Sequence, residues 1–248
     1  MTAMSINLEL PTKLAAAVEQ SHAVGEHIFR PVSRKYDKAE HENPTELDDL
    51  GKLIKESKKK RAETAGKPDE GPSKNGVNMI SVLNTLETSW GDVGLTLSIP
   101  YNGLGNAAIA AVADKEQLER FADVWASMAI TEPSFGSDSA AVSTTAVLDG
   151  DDYVINGEKI FVTAGSRADH VVVWATLDRS VGRAAIKSFV VPMDTEGVTV
   201  ARLEHKLGIK ASDTAVLRFE NARVPKENLL GSPEIDTKKG FGGVMQTF

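Results

Sequence analysis

The chain has 248 residues, of which 41% are hydrophobic and 25% charged, enough for one large globular domain or two small ones. Its 35 acidic and 28 basic residues give a formal net charge of −7, which argues against a nucleic-acid partner because phosphate binding needs a concentrated positive field. The lack of cysteine excludes disulfides, thiolate metal ligands and cysteine nucleophiles. We predict a cytoplasmic protein with no membrane span, since the N-terminus resembles no signal or transit peptide and no apolar stretch is long enough to cross a bilayer.

The first half of the sequence has the apolar periodicity of helices. One helix is predicted after Pro11 and a second from Thr45, where a capping residue precedes acidic side chains. Further helices are predicted over residues 76–90, 91–113 and 115–125, the last capped by Asp114. The stretch 62–75 is charged and rich in Gly and Pro, which predicts a surface loop. Residues 1–126 are therefore predicted to form an all-helical domain.

After residue 127 the apolar pattern alternates with a period of two, as is typical of strands. Strands are predicted over residues 142–148, 153–155, 159–163, 170–176, 185–191, 198–203 and 215–219. The turns Asp149-Gly150 and Asn156-Gly157 are predicted to join the first three, the second as a tight hairpin. The predicted fold class is α+β, with a central antiparallel β-barrel or sandwich over residues 127–236. Residues 237–248 are predicted to begin a C-terminal helix.

Three motifs follow one another in the second half of the chain. They are MAITEPSFGSD at Met128–Asp138, YVINGEKIFVT at Tyr153–Thr163, and KLGIKASDT at Lys206–Thr214 followed by FENARVP at Phe219–Pro225. Together they resemble the acyl-CoA dehydrogenase family, and the first resembles its flavin-binding signature. The resemblance implies a helical domain, a central β-domain and a C-terminal helical domain, of which residues 237–248 would be only the start. Over residues 1–125 the resemblance rests mainly on the helical pattern.

The resemblance implies an FAD site. Thr131 and nearby amides would meet the polar pyrimidine edge of the isoalloxazine ring, and Phe161, where the family more often has tryptophan, would pack on a ring face. Thr163 would bond the ring nitrogen that receives the hydride. Ser137 resembles the contact to the CoA part of an acyl-CoA substrate. The full set of predicted flavin contacts is Met128, Ile130, Thr131, Phe161, Val162 and Thr163.

Each motif also has a structural interpretation. Thr131-Glu132-Pro133 could merely end one element and turn into a sheet, and Phe161 and Thr163 are residue types common in strands. Glu132 is a carboxylate near the predicted flavin, but the family does not use that position as its base. We therefore expect a structural role for Glu132.

Other candidate chemistry is sparse. The five histidines, His22, His27, His41, His170 and His205, lack metal-ligand spacing, so no metal site is predicted. The basic run Lys58–Arg61, with Lys55, is most simply a hydrated helix face, or it could face an acidic electron-transfer partner or CoA phosphates.

The reaction of this family removes the proton alpha to a thioester carbonyl while the beta hydrogen leaves as hydride. The family's glutamate base comes from the C-terminal helical domain, at positions that would follow Phe248. No catalytic residue is therefore assigned in this chain. The chain could be a fragment, could receive its missing helices from a second polypeptide, or could be degenerate and non-catalytic.

The sequence thus predicts an FAD-dependent acyl-CoA dehydrogenase that passes electrons to an electron-transfer flavoprotein and forms a homo- or hetero-oligomer. The alternative is a non-catalytic scaffolding or binding subunit of such an assembly. A flavin oxidase or monooxygenase on the same scaffold is a third possibility, since a fold does not fix a reaction. The acyl chain length is not indicated by the sequence.

Overall fold

The computed structural model of this chain describes residues 12–64, 77–237 and 242–247. The α-helices are α1 (Thr12–Val24), α2 (Arg30–Lys38), α3 (Asp48–Thr64), α4 (Val77–Ser98), α5 (Leu104–Val112), α6 (Lys115–Arg120) and α7 (Gly242–Thr247). A π-helical turn, Gly25–Phe29, joins α1 to α2, and a 3-10 turn, Thr45–Leu47, leads into α3. The helices predicted after Pro11 and from Thr45 are confirmed. In the predicted surface loop, residues 62–64 continue α3 and the rest lies outside the described residues.

The predicted helical boundaries between residues 90 and 125 are partly wrong. α4 runs past residue 90 and kinks at Asp92 (φ −171°), whose carboxylate accepts the Leu95 N–H at 2.9 Å and so caps the segment after the kink. The segment predicted as one helix over residues 91–113 is split between the end of α4 and α5. The Asp114 cap is confirmed, since its carboxylate accepts the Gln117 N–H at 2.9 Å in a capping box. α6 ends five residues before the predicted end at residue 125 because Phe121 already leaves helical geometry.

Two glycines set the packing of the N-terminal helices. A Cβ on Gly91 of α4 would lie 2.5 Å from the Gly25 Cα, so the helical chains touch backbone to backbone there. Only glycine permits that approach. Beside this contact lies a core of apolar side chains that also takes in one residue from the β half: Phe29, Tyr36, Leu47, Leu95, Ile99 and Ala211.

The strands are β1 (Ala126–Ala129), β2 (Thr145–Asp149), β3 (Asp152–Thr163), β4 (His170–Thr176), β5 (Ile186–Pro192), β6 (Val198–Leu203) and β7 (Thr214–Pro225). They form one curled sheet in the order β1-β4-β2-β3-β7-β6, with β5 also on β4. The predicted α+β class is confirmed. The sheet is mixed, because β1 pairs parallel to β4, as does β2 through one bridge, while the other pairs are antiparallel.

The hairpin predicted at Asn156-Gly157 is wrong. β3 continues through both residues, and its pairing with β7 shifts register between Ile155 and Gly157. The Asn156 side chain contacts β7 instead, where its oxygen accepts the Asn221 N–H at 2.8 Å. Gly157 has φ +154°, and a Cβ there would lie 2.3 Å from the Thr144 hydroxyl. The glycine therefore serves a β-bulge with a close neighbour, and only the turn at Gly150 (φ +67°) joins β2 to β3.

The sheet buries an apolar core on its inner face. β4 is buried at almost every position, as expected for a strand covered on both sides. One side of the sheet carries Tyr153, Ile155 and Phe189, and the other packs Val172 and Trp174 against α5 and α7. No helix within the described ranges is long and apolar enough to cross a membrane.

Candidate functional site

The 130–135 loop, which follows β1, lies against β3. The Ile160 N–H donates to the Thr131 carbonyl at 2.9 Å, and the Lys159 ammonium donates to the Ile130 carbonyl at 3.1 Å. Glu132 and Phe135 close the loop with two reciprocal backbone hydrogen bonds of 3.1 Å. The first two motifs, which residues 139–152 separate in the sequence, therefore form a single surface.

Phe161 lies at a β-bulge on that surface. The register of β3 against β7 shifts between Lys159 and Val162, and Phe161 has φ +59°. Its side chain is 61% exposed. A bulky residue with positive φ costs about 1–3 kcal/mol and persists only where the surroundings impose it, which is common at functional sites. The bulge turns an aromatic ring outward instead of into the core.

A buried ion pair holds the 130–135 loop in place. Glu132 is 2% exposed and Lys159 is fully buried, with Nζ and Oε1 2.8 Å apart. Glu132 also accepts the Thr144 hydroxyl at 2.6 Å and N–H at 2.9 Å, and the Ser143 hydroxyl at 2.5 Å and N–H at 2.8 Å. Both carboxylate oxygens are thus saturated, which is what a buried charge needs. These contacts agree with the structural role expected for Glu132.

Both members of this pair are charged at neutral pH. Burial alone would raise the pKa of Glu132, but the Lys159 charge and the hydrogen bonds from Lys159, Ser143 and Thr144 outweigh it and lower the pKa to about 2. Burial lowers the pKa of Lys159 to about 8, and the Glu132 charge opposes that shift only in part. The loop is therefore fixed by a full ion pair.

A second buried ion pair supports the other end of the bulge. Asp213, just before β7, is 3% exposed and accepts the Arg167 guanidinium at 2.8 Å. It also accepts the Ser166 N–H at 3.0 Å and hydroxyl at 2.9 Å. Its carbonyl accepts the N–H of Ala164, another residue with positive φ (+57°). The strained segment 161–164 is thus held at both ends.

The remaining predicted contacts are distributed unevenly. Thr131 is half-buried beside the bulge and Thr163 is exposed, so both hydroxyl-bearing residues flank Phe161 on the folded chain. Met128 and Ile130 are half-buried and pack on the side of the sheet that carries Val172 and Trp174. The Val162 side chain, 1% exposed, lies in the core of the sheet, so only its main chain faces away from that core.

Ser137 is exposed in the loop that leads to the 3-10 turn Ser139–Ala141. Beside that turn is an open cleft of about 280 Å³. Its walls include Phe135, Thr176 and Arg179, but not Ser137. The contact of Ser137 with a CoA group stays a prediction.

Sequence reasoning did not identify the two supporting cations. Lys159 and Arg167 are charged residues in or beside apolar strands. The position of Lys159 inside an alternating strand pattern could have indicated a buried and therefore paired cation. Lys55, one of the predicted basic group, pairs with Asp123 at 3.0 Å. Lys59 and Lys60 are exposed. Lys55 is thus at least partly a structural residue.

Comparison with known proteins identifies the class. The family model described as "Acyl-CoA dehydrogenase, middle domain" matches residues 127–222, the range of β1 to β7 and the 130–135 loop. Residues 127–222 are therefore an acyl-CoA dehydrogenase middle domain. The short-chain specific acyl-CoA dehydrogenase, mitochondrial, of Bos taurus is 39% identical over 171 residues, which are 66% of this chain and 40% of that protein.

Solved structures extend the likeness to the helical half. Butyryl-CoA dehydrogenase from Megasphaera elsdenii matches 98% of this chain and 63% of that chain, with a TM-score of 0.81 and 28% identity. A glutaryl-CoA dehydrogenase from Mycobacterium smegmatis in complex with FADH2 matches 96% of this chain and 59% of that chain, with a TM-score of 0.70 and 25% identity. Residues 127–222 thus belong to the acyl-CoA dehydrogenase family, and the chain as a whole shares the fold of these relatives. It spans less than two thirds of the length of each of these relatives.

Proposed function

We propose that this chain carries the flavin-binding part of an FAD-dependent acyl-CoA dehydrogenase. The observation that carries the proposal is Phe161, an aromatic side chain held outward at a strained bulge between two threonines. A protein without a flat ligand at this position would gain nothing from such an exposed ring. The FADH2 complex of a structural relative supports the same cofactor.

The residues present fit a flavin. The exposed Phe161 ring offers an apolar face for stacking, and Thr131 and Thr163 beside it carry hydroxyl donors for a polar ring edge. FAD, when bound, supplies the two-electron acceptor for the hydride that leaves the acyl chain. The chain's own contribution is positional, since Glu132 and Lys159 fix the 130–135 loop so that its donors need not reorganise during the reaction.

The alpha proton needs an acceptor other than Glu132. That carboxylate is buried, its pKa is lowered to about 2, and both its oxygens accept hydrogen bonds. A general base must reach the proton that it removes. We propose that the base comes from polypeptide other than residues 127–222, either a further segment or a partner subunit.

The proposed partners are an acyl-CoA substrate, contacted by Ser137, and an electron-transfer flavoprotein, as the family resemblance implies. We also propose a homo- or hetero-oligomer. Its support is an apolar stripe along α4, with side chains 41–61% exposed at helical spacing: Met79, Val82, Leu86, Trp90, Val93 and Leu97. A cytoplasmic location stays a prediction.

The stripe also supports the second candidate, a non-catalytic subunit of such an assembly. An apolar helix face favours association whether or not the chain takes part in chemistry. Flavin binding separates the two candidates, because a scaffold has no use for an outward aromatic ring between hydroxyls.

The test is a titration of the purified chain with FAD, followed by flavin absorbance and fluorescence. Phe161→Ala should weaken FAD binding about 10-fold or more, since one aromatic stacking contact contributes about 1–3 kcal/mol. Leu148→Ala, which truncates another exposed apolar side chain (54%) away from the bulge, should leave it unchanged. Equal effects of the two variants would contradict the proposed site.

A second step tests the reaction. Butyryl-CoA is added without oxygen to the FAD-loaded chain, the short-chain ester being chosen because the bovine relative is short-chain specific. Bleaching of the flavin would mean that a base reaches the substrate. A chain that binds FAD without bleaching would favour a base from elsewhere, and a chain that binds no FAD would favour the scaffold.

A further inference from the structure

The turn after α2 meets the loop after β6 at a cluster of metal-ligand side chains. Glu40, His41 and His205 each offer one ligand atom, and these atoms lie within 4.8 Å of one another. His205 Nδ1 is 3.1 Å from Glu40 Oε2, and the ring centroids of His41 and His205 are 5.0 Å apart. Glu40 and His205 are 165 positions apart in the sequence, so their spacing could not reveal the cluster.

His41 gives a second, independent sign of a ligand. Both of its ring nitrogens are buried and have no hydrogen-bond partner among the residues that the structure describes. A buried polar group without a partner is unfavourable, because it has lost its hydrogen bonds to water and gained none in return. His41 also has φ +76°, an uncommon conformation for a side chain of its size. Two unfavourable features at one imidazole point to an interaction that offsets them.

We propose that Glu40, His41 and His205 bind a divalent transition-metal ion of the Zn²⁺ type. Two imidazole nitrogens and one carboxylate oxygen are a ligand set that such ions prefer, at about 2.0–2.2 Å from the metal. Three protein ligands leave a fourth position for water. Glu40 Oε2 and His205 Nδ1, 3.1 Å apart, already have about the spacing of two ligands on one ion, and the ligand atom of His41 lies within 4.8 Å of both. The His205 side chain is 84% exposed and has room to reorient toward an ion.

Two neighbours of Glu40 have opposite effects on the binding of a cation. The Lys206 N–H donates to Glu40 Oε1 at 2.8 Å, which orients the carboxylate and leaves Oε2 toward the histidines. Such outer hydrogen bonds are typical of metal ligands. Lys210 Nζ lies 3.9 Å from Oε2 and repels a cation. This ammonium makes a specific prediction possible.

The position of the site suggests what it does. Glu40 and His41 belong to the helical half, whereas His205 begins the segment that contains Ala211 of the helical core and Asp213 beneath the bulge. A metal ion here would join the helical half to the segment that leads into β7, the strand that pairs with β3 next to Phe161. It would act as a structural link, and this inference does not depend on flavin binding.

The test is a titration of the full chain with ZnCl₂ against a fluorescent chelator. We expect one saturable site of micromolar or tighter affinity, weakened at least about 10-fold by His205→Ala. Because His205 is exposed, that variant should fold normally. His27→Ala is the matched control, since His27 is also exposed (72%) and belongs to no metal-ligand cluster within the described part of the chain. This variant should bind Zn²⁺ like the wild type.

Two further variants sharpen the result. Lys210→Met should strengthen Zn²⁺ binding several-fold by removing the repelling charge. His41→Asn, in which asparagine tolerates a positive φ, should weaken binding as His205→Ala does. Zn²⁺ should also raise the thermal unfolding midpoint of the wild type but not of His205→Ala. No saturable binding, equal binding by His27→Ala and His205→Ala, or no response to Lys210→Met would overturn the proposal.

Discussion

The two halves of the chain differ in how far their apolar side chains are buried. In the β half, β4 and β5 are buried almost throughout, and buried charges such as Glu132 and Lys159 are fully paired. In the helical half, α4 leaves a whole apolar stripe exposed, with Val82 at 61% and Leu86 at 57%. The comparison teaches that the β half is held largely by contacts within itself, whereas the exposed stripe of the helical half supports the proposed association with other polypeptide.

The largest loss of stability should come from disrupting the buried ion pair of the β half. Lys159→Met leaves the Glu132 carboxylate buried without a counter-charge, and we expect a loss of about 3–5 kcal/mol in the free energy of unfolding. Urea unfolding followed by circular dichroism measures this. Lys226→Met, which removes an exposed pair with Asp151, should cause no measurable change. Similar stabilities for the two variants would show that the buried pair is not a main support.

Overpacking the bulge at Gly157 should have the next largest effect. Gly157→Ala places a Cβ against Thr144, whose hydroxyl also donates to Glu132, at a positive φ. We expect a loss of about 2–3 kcal/mol. Gly208→Ala is the control, because a Cβ there meets nothing within 4 Å. If Gly157→Ala unfolds at the same urea concentration as Gly208→Ala, the close approach to Thr144 is not rigid.

Acid should weaken the β half through Glu132. The pKa of Glu132 falls from 4.5 to about 2 on folding, so the unfolded chain binds the proton first as the pH drops. The stability due to this group is therefore complete above about pH 4.5 and lost between there and about pH 2, an effect on the order of 3 kcal/mol. The double variant Glu132→Gln/Lys159→Met should have a shallower stability profile over this range. Parallel profiles would assign the acid sensitivity to other carboxylates.

The smallest effect on stability, and the clearest one on association, should come from the helical half. Leu86→Glu lies in the middle of the exposed stripe, so it should change unfolding by less than about 0.5 kcal/mol. It should nevertheless shift the chain toward monomer in size-exclusion chromatography with light scattering. Leu118→Glu, on the exposed part of α6 (41%), should leave the association state unchanged. An unchanged state in both variants would mean that the stripe is not the contact.

Sequence reasoning succeeded where a local rule decides the structure. The Asp114 cap, the Gly150 turn and the alternating strands depend on neighbours a few residues away. It failed at Asn156-Gly157, where the hairpin rule was overridden by β7 and Thr144, which lie far away in sequence. β1 was missed because four residues carry too little periodicity to identify a strand.

The candidate site follows the same division. The resemblance named Thr131, Phe161 and Thr163, and the structure brings their motifs onto one surface. Neither the strained φ of Phe161 nor the pairing of Glu132 with Lys159 can be deduced locally, because both result from contacts across the sheet. The meeting of His41 with His205 is likewise a product of tertiary packing.

β1 leaves the ribosome well before the strand that it needs. Just before β1, the Trp125 N–H donates to the Asp169 carboxylate, 44 positions later in the sequence. The 130–135 loop is held by Ile160 and Lys159, which are also synthesised after it. A nascent chain that stops before β3 therefore contains α1 to α6 but lacks the residues that hold the 130–135 loop. Binding of the proposed flavin should become possible only late in synthesis, when the β half is nearly complete, so this cofactor cannot guide the first steps of its folding.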